Sequence, residues 1–228
     1  MTILVATGLQ RERRILAGVG VEVVVGGGDH ARSETTLDRL APGMRGIISI
    51  GIGGALAPEL RPGDWVVADA VLVDGESMPT DLAWADRLSV RLATARRGLL
   101  LGADAIVSEA AQKTALYRAT GAIAVDMESH VAARVARRHR LPFAVARVVS
   151  DAASRTLPPA ALVGMRSDGG VDLPAVLRSL LRNPRQLPAL IRAGLEAERA
   201  FRALLGGYRR LGPGLVGPDL GELPLDMA

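Results

Sequence analysis

Residues 122–154 read AIAVDMESHVAARVARRHRLPFAVARVVSDAAS. An apolar run, residues 123–125, stops at Asp126-Met127-Glu128. Residues 129–140 then fit a helix. Val131, Ala132, Val135 and Ala136 form its apolar stripe, and Arg134, Arg137, Arg138 and Arg140 lie largely outside it. Pro142 marks its end. A second apolar run, residues 143–149, stops at Ser150-Asp151. Runs that are apolar at nearly every position suit strands covered on both faces. Strand, helix and strand in this order imply an α/β domain with a mostly parallel sheet. Each strand also delivers a carboxylate at its carboxyl end, the edge where such sheets bind ligands. An acid at the same place could simply cap the following helix.

Upstream, residues 3–6, 21–25, 47–50, 65–67 and 98–101 have the same buried-strand character. In GIISIGIGGALAPELRPGDWVVAD, residues 46–69, the strand runs into Gly51, Gly53 and Gly54. Glycines there allow a tight turn and close approach to a ligand. The spacing is neither the dinucleotide fingerprint nor a P-loop. One domain is therefore expected from residue 1 to about 152, followed from 153 to 228 by a loop and a basic helical extension packed on or beside that core. Residues 153–172 read as a loop. Residues 173–205 read as basic helix broken near Pro184 and Pro188, with Leu187, Leu190, Ile191 and Leu195 at helical spacing. The tail from Gly206 reads as irregular and mobile.

Composition narrows the chemistry. The chain has 228 residues, 49% hydrophobic and 23% charged, so it is globular rather than disordered. Cysteine is absent, which excludes disulfides, thiolate metal sites and a cysteine nucleophile. His30, His130 and His139 are far apart in sequence, and no metal site is expected from them. Net charge is +4, almost all basic residues are arginine, and Lys113 is the only lysine. Without a binding motif and with 3% aromatics, that charge does not indicate nucleic acid. No run reaches the ~18–20 apolar residues of a membrane span. The N-terminal stretch has its charges after its apolar part, the reverse of a secretory signal. A cytoplasmic location is expected, with contact at the inner membrane face as an alternative.

GIGGALAPELRPGDWVVAD, GLLLGADAIV and AIAVDMES–PFAVARVVSDAA, in this order and spacing, resemble the purine nucleoside phosphorylase and methylthioadenosine/S-adenosylhomocysteine nucleosidase superfamily. The resemblance runs from residue 1 to about 152. It implies a three-layer α/β/α sandwich around a mixed, partly barrel-like sheet. It also implies cleavage of a nucleoside N-glycosidic bond by phosphate or water, and no cofactor beyond phosphate as a co-substrate. The RNPRQLPALIRAGLEAERA segment is similar to the hopanoid-associated phosphorylase branch, whose members are associated with removing adenine from adenosylhopane. Relatives form dimers or larger assemblies, so a homo-oligomer is expected.

The resemblance assigns roles residue by residue. Asp151 matches the acid at purine N7, beside Ser150 in the same block. Such an acid must be protonated near neutral pH. Glu128 matches the carboxylate on the ribose hydroxyls, and Met127 a residue packed on the sugar. Asp126 stands where nucleosidases carry a glutamate, and is expected to support the site from behind. Ile106 replaces a phenylalanine that stacks on the purine, and Val107 lies where backbone groups read the base edge. Glu12 matches the glutamate that activates water. Its neighbours Arg11, Arg13 and Arg14 could attract phosphate instead, as could the loop of Gly26, Gly27 and Gly28. Ile52 replaces a hydroxyl residue, which weakens the phosphate case. The branch resemblance tips the expectation slightly towards phosphate. A soluble nucleosidase and a non-catalytic nucleoside or lipid binder are the alternatives. Residues 153–172 are also candidates for a lid or channel beside Asp151.

Overall fold

The computed structural model describes residues 2–164, 166 and 168–218. Eight strands form one mixed sheet: β1 Ile3–Thr7, β2 Val21–Val25, β3 Ile47–Ala55, β4 Trp65–Val73, β5 Glu76–Pro79, β6 Arg96–Gly102, β7 Ala124–Asp126 and β8 Phe143–Asp151. The order is β2-β1-β3-β7-β6-β4-β5, and β8 pairs with both β3 and β4. Strands β3, β7, β6, β4 and β8 thus close into a ring, with β1 and β2 continuing from β3 as an open parallel sheet. The β3–β8, β4–β6 and β6–β7 pairs are parallel, whereas β3–β7 and β4–β8 are antiparallel.

Alternation along the strands feeds two cores. Leu4, Ile47, Phe143 and Val145 face the side covered by α2 (His30–Leu40) and α5 (Ser129–His139). Ile3, Val5, Ile48, Ala144 and Ala146 face the side of α1 (Gln10–Leu16), α3 (Leu82–Arg91) and α8 (Leu187–Leu211). The outcome is the expected three-layer sandwich. Helix α4 (Ala110–Thr120) lies beside β6 and β7, and the short α6 (Pro159–Leu162) and α7 (Leu173–Arg182) precede α8.

Several readings are corrected. Strand β3 does not end before its glycines; it runs through them, with a bulge between Gly53 and Gly54. Strand β4 is longer than residues 65–67 and turns back through β5 as a hairpin. Pro188 does not break a helix, because it occupies the first turn of α8, where the missing N–H has no helical partner anyway. Residues 206–211 continue α8, and a 3-10 turn at Pro213–Val216 follows. That turn is anchored: Trp84 Nε1 donates to the Leu215 carbonyl at 3.0 Å, and Leu215 is buried. The end of the tail lies outside the described residues.

Candidate active site

A cavity of about 490 Å³ opens at the carboxyl edge of the sheet. Glu12, Gly27, Gly28, Gly53 and Ile106 line it, as do Val107, Met127, Glu128, Ser150 and Asp151. Gly26 and Gly51 do not. Gly26 lies behind the wall, where a Cβ would stand 3.5 Å from Glu128 Cγ. At Gly51 a Cβ would collide with Glu12 and come within 2.6 Å of Arg147 Nη1. These two glycines make room for functional side chains and do not face a ligand.

Glu12 is almost fully buried, which excludes a surface glutamate. Lying in the first turn of α1, it reaches back to the helix start. Oε2 accepts from Thr7 Oγ1 at 2.5 Å, Gly8 N at 2.8 Å and Leu9 N at 2.7 Å. Oε1 accepts from Ile52 N at 2.6 Å. Oε1 therefore has one donor, and a lone pair remains for a further partner. Ile52 thus contributes through its backbone N–H, whatever its side chain.

Gly8, unnoticed in the sequence, joins the two glutamates. Its N–H bonds Glu12, and a Cβ there would come within 3.0 Å of Glu128 Cδ. Behind Glu128 lies a buried charged network. Arg147, from the middle of β8, pairs through Nε with Asp126 and lies 3.6 Å from Glu128 Oε2. Asp126 also accepts from the N–H of Ser129, the first residue of α5, at 3.0 Å. Its side chain is buried against Arg147, yet Asp126 is itself among the residues that line the cavity. Burial pushes the Glu128 carboxyl up to about 8; Arg147 opposes this, while Asp126 and Glu12 add to it. Burial works against the Arg147 charge, but Asp126, Glu128 and Glu12 outweigh it and its pKa rises.

Asp151 ends β8, opposite Gly54 across the bulge. Ser150 Oγ donates to Asp151 Oδ1 at 2.6 Å and contacts the Gly53 carbonyl at 3.0 Å. Oδ2 is paired with the ammonium of Lys113, a fully buried residue of α4. No periodicity marks Lys113; its being the only lysine is the one signal the sequence carries.

Ile106 and Val107 form one apolar end of the cavity, after β6. Just outside the lining, Asp104 Oδ1 lies 3.1 Å from His130 Nε2 and 3.4 Å from His30 Nδ1. Fold topology unites two histidines that are a hundred residues apart. These three could hold a divalent ion, with Asp104 largely exposed. Burial lowers the His130 pKa and favours the neutral ring.

Leu157, Ala161 and Leu162 line another part of the cavity, opposite Ala193 and Ala197 of α8. The segment after α6 is tied to α1: Gln10 N donates to the Gly169 carbonyl at 3.0 Å. Gly169 needs its left-handed φ of 77° to pass over Gly8. The residues read as a loop therefore supply cavity wall. Arg11 does not approach the cavity; it pairs with Glu198 at 2.7 Å and lies over the Phe201 ring. Arg13 and Arg14 are exposed. Among the described lining residues, Arg166 is the single cation.

Residues 7–181 match the phosphorylase superfamily. The futalosine hydrolase of Streptomyces coelicolor is 32% identical over 124 residues, which is 46% of this chain and 53% of that protein. The chain thus spans about half the length of that curated relative. Among solved structures, the S-adenosylhomocysteine nucleosidase of Streptococcus pyogenes superposes with a TM-score of 0.62 at 18% identity. That alignment covers 93% of this chain and 98% of the other. The futalosine hydrolase of Helicobacter pylori gives 0.64 at 17%, covering 92% and 97%. At such identities the likeness concerns the fold, and the matched superfamily covers most of the residues described. The chain is a member of the phosphorylase superfamily.

Proposed function

We propose that this protein cleaves the N-glycosidic bond of an adenine nucleoside, with water as the attacking group. The observation that carries the reading is the convergence of Glu12, Glu128 and Asp151 on one cavity. Bond breaking leaves negative charge on the base and positive charge on the ribose. Asp151 delivers a proton to N7 of the departing base. Glu128 meets the ribose hydroxyls. Glu12, fixed by four donors, takes a proton from water through its open Oε1. Named relatives that are hydrolases and nucleosidases support water over phosphate. So does the engagement of Arg11 with Glu198, which removes it as a phosphate ligand. The loop of Gly27 and Gly28 keeps phosphate as the second reading.

For the substrate we favour an adenosyl lipid of the adenosylhopane type. The cavity has an apolar part built from Leu157, Leu162, Ala193 and Ala197. On α7, Leu173, Leu177 and Leu181 are exposed at i, i+4, i+8; on α8, Leu187, Ile191 and Leu195 repeat the pattern. Exposed Arg178, Arg182, Arg185 and Arg192 accompany them. Such faces suit a headgroup boundary with anionic lipid. No helix among the described residues is long and apolar enough to cross a membrane. A soluble methylthioadenosine-type substrate is the alternative, and a homo-oligomer remains the expected assembly. Adenine release from adenosine, methylthioadenosine and an adenosyl lipid, with and without phosphate, tests the whole reading. Release from the lipid at the highest kcat/KM is expected; equal or better use of methylthioadenosine would favour the soluble alternative.

A further inference from the structure

The acid role of Asp151 needs a proton, yet the structure sets a cation against its carboxylate. That cation is an ammonium, itself a proton donor in direct contact with Oδ2. A proton donor thus lies one step behind the acid, off the cavity wall. Lys113 is fully buried and does not line the cavity. Its Nζ has three partners: Asp151 Oδ2, the Arg155 carbonyl at 2.9 Å and the Ala152 carbonyl at 3.3 Å. Three acceptors match the three N–H groups of an ammonium. A guanidinium would bring five donors in a planar fork and could not release a proton. In a chain whose other basic side chains are, histidines apart, all arginine, this one position holds lysine.

We infer that Lys113 is a positioning residue acting through Asp151: it orients the carboxyl and supplies the proton that the carboxyl passes to N7. This rests on the proposed glycosidic cleavage. As the C1′–N9 bond breaks, its electron pair leaves with the base. Asp151 gives a proton to N7 and receives one from Nζ. The base departs neutral, Lys113 becomes an amine, and the ribosyl cation takes water, whose proton goes to Glu12. After product release Glu12 gives its proton to solvent in the cavity and Lys113 regains one through Asp151, which lines that cavity, so the cycle balances.

The test compares two substrates. Adenosine requires protonation of its leaving base, whereas 4-nitrophenyl riboside releases a nitrophenolate that leaves unprotonated. Lys113→Met should lower kcat on adenosine by about 10²–10⁴, with KM changed less than about threefold. Its kcat on the nitrophenyl riboside should stay within about threefold of wild type. Equal losses on both substrates from a variant that melts like wild type would overturn the inference. Unchanged turnover of adenosine would overturn it too. Where Lys113→Met does not fold, the same two rates on Lys113→Gln decide, since the amide keeps donors for the two carbonyls. Wild-type protein that turns over the nitrophenyl riboside but no purine nucleoside would overturn the functional reading, and this inference with it.

Discussion

Asp151→Asn keeps the shape of the side chain but cannot pass a proton to the base. Adenine release should fall by about 10²–10⁴, with the thermal transition little changed; a variant near full activity would remove Asp151 from the mechanism. At Glu128 the prediction concerns pH. Its carboxyl is pushed up to about 8 from an ordinary 4.5, so the unfolded chain loses this proton first as pH rises. The native state then binds more protons than the unfolded one, and stability declines with rising pH between about 4.5 and 8, levelling above. Urea unfolding across that range should show a flatter profile for Glu128→Gln than for wild type. A third substitution, Gly8→Ala, puts a methyl against Glu128, and should lower turnover while leaving the Glu12 backbone contacts in place. Apolar runs marked the strand ends that carry Glu128 and Asp151, whereas the roles expected of Asp151, Glu128 and Met127 came from the family resemblance; all three line the cavity. Arg147 was hidden inside such a run, and its neutralisation by Asp126 is a three-dimensional fact. Glu12 was singled out by the resemblance alone, because its donors come from a strand end and from Ile52, forty residues away.

Helix α8 has two parts with different roles. Its first half presents Ile191 and Leu195 to solvent, while its second half buries Ala200, Phe201 and Leu204 against the sheet. Leu204→Ala should therefore destabilise the fold by about 2–5 kcal/mol in urea unfolding, as for a core leucine. A loss below about 0.5 kcal/mol would mean that the helix is only loosely docked. For the same reason, removing residues 173–228 would strip part of the core and could not isolate a membrane function. Point changes on the exposed faces can. Leu177→Glu with Ile191→Glu should weaken binding to vesicles containing anionic lipid, with little effect on unfolding. Binding that ignores both changes would assign the leucine faces another role. The helix itself was partly legible from its spacing. Its length was not, because Pro188 and the Gly206-Gly207 pair look like breaks in sequence. In the structure, the first begins the helix, and Gly207 permits close contact with Trp65.

At the scale of the molecule, the closed ring of β3, β7, β6, β4 and β8 gathers residues from both ends of the chain around one cavity. The sheet class was visible in the run of buried strands, but ring closure was not. It depends on β8 bonding to β3 on one side and β4 on the other, and pairing partners leave no periodicity in sequence. The fold also brings Lys113 to Asp151, and the packing of α2 on α5 brings His30 to His130. The central claim is hydrolysis of an adenine nucleoside by the three carboxyls that this closure assembles. It is tested most directly by following adenine and reducing sugar together in phosphate-free buffer. The account predicts equimolar release of both, at a rate that added phosphate does not raise. No adenine without phosphate, or ribosyl phosphate as the product when phosphate is added, would contradict it.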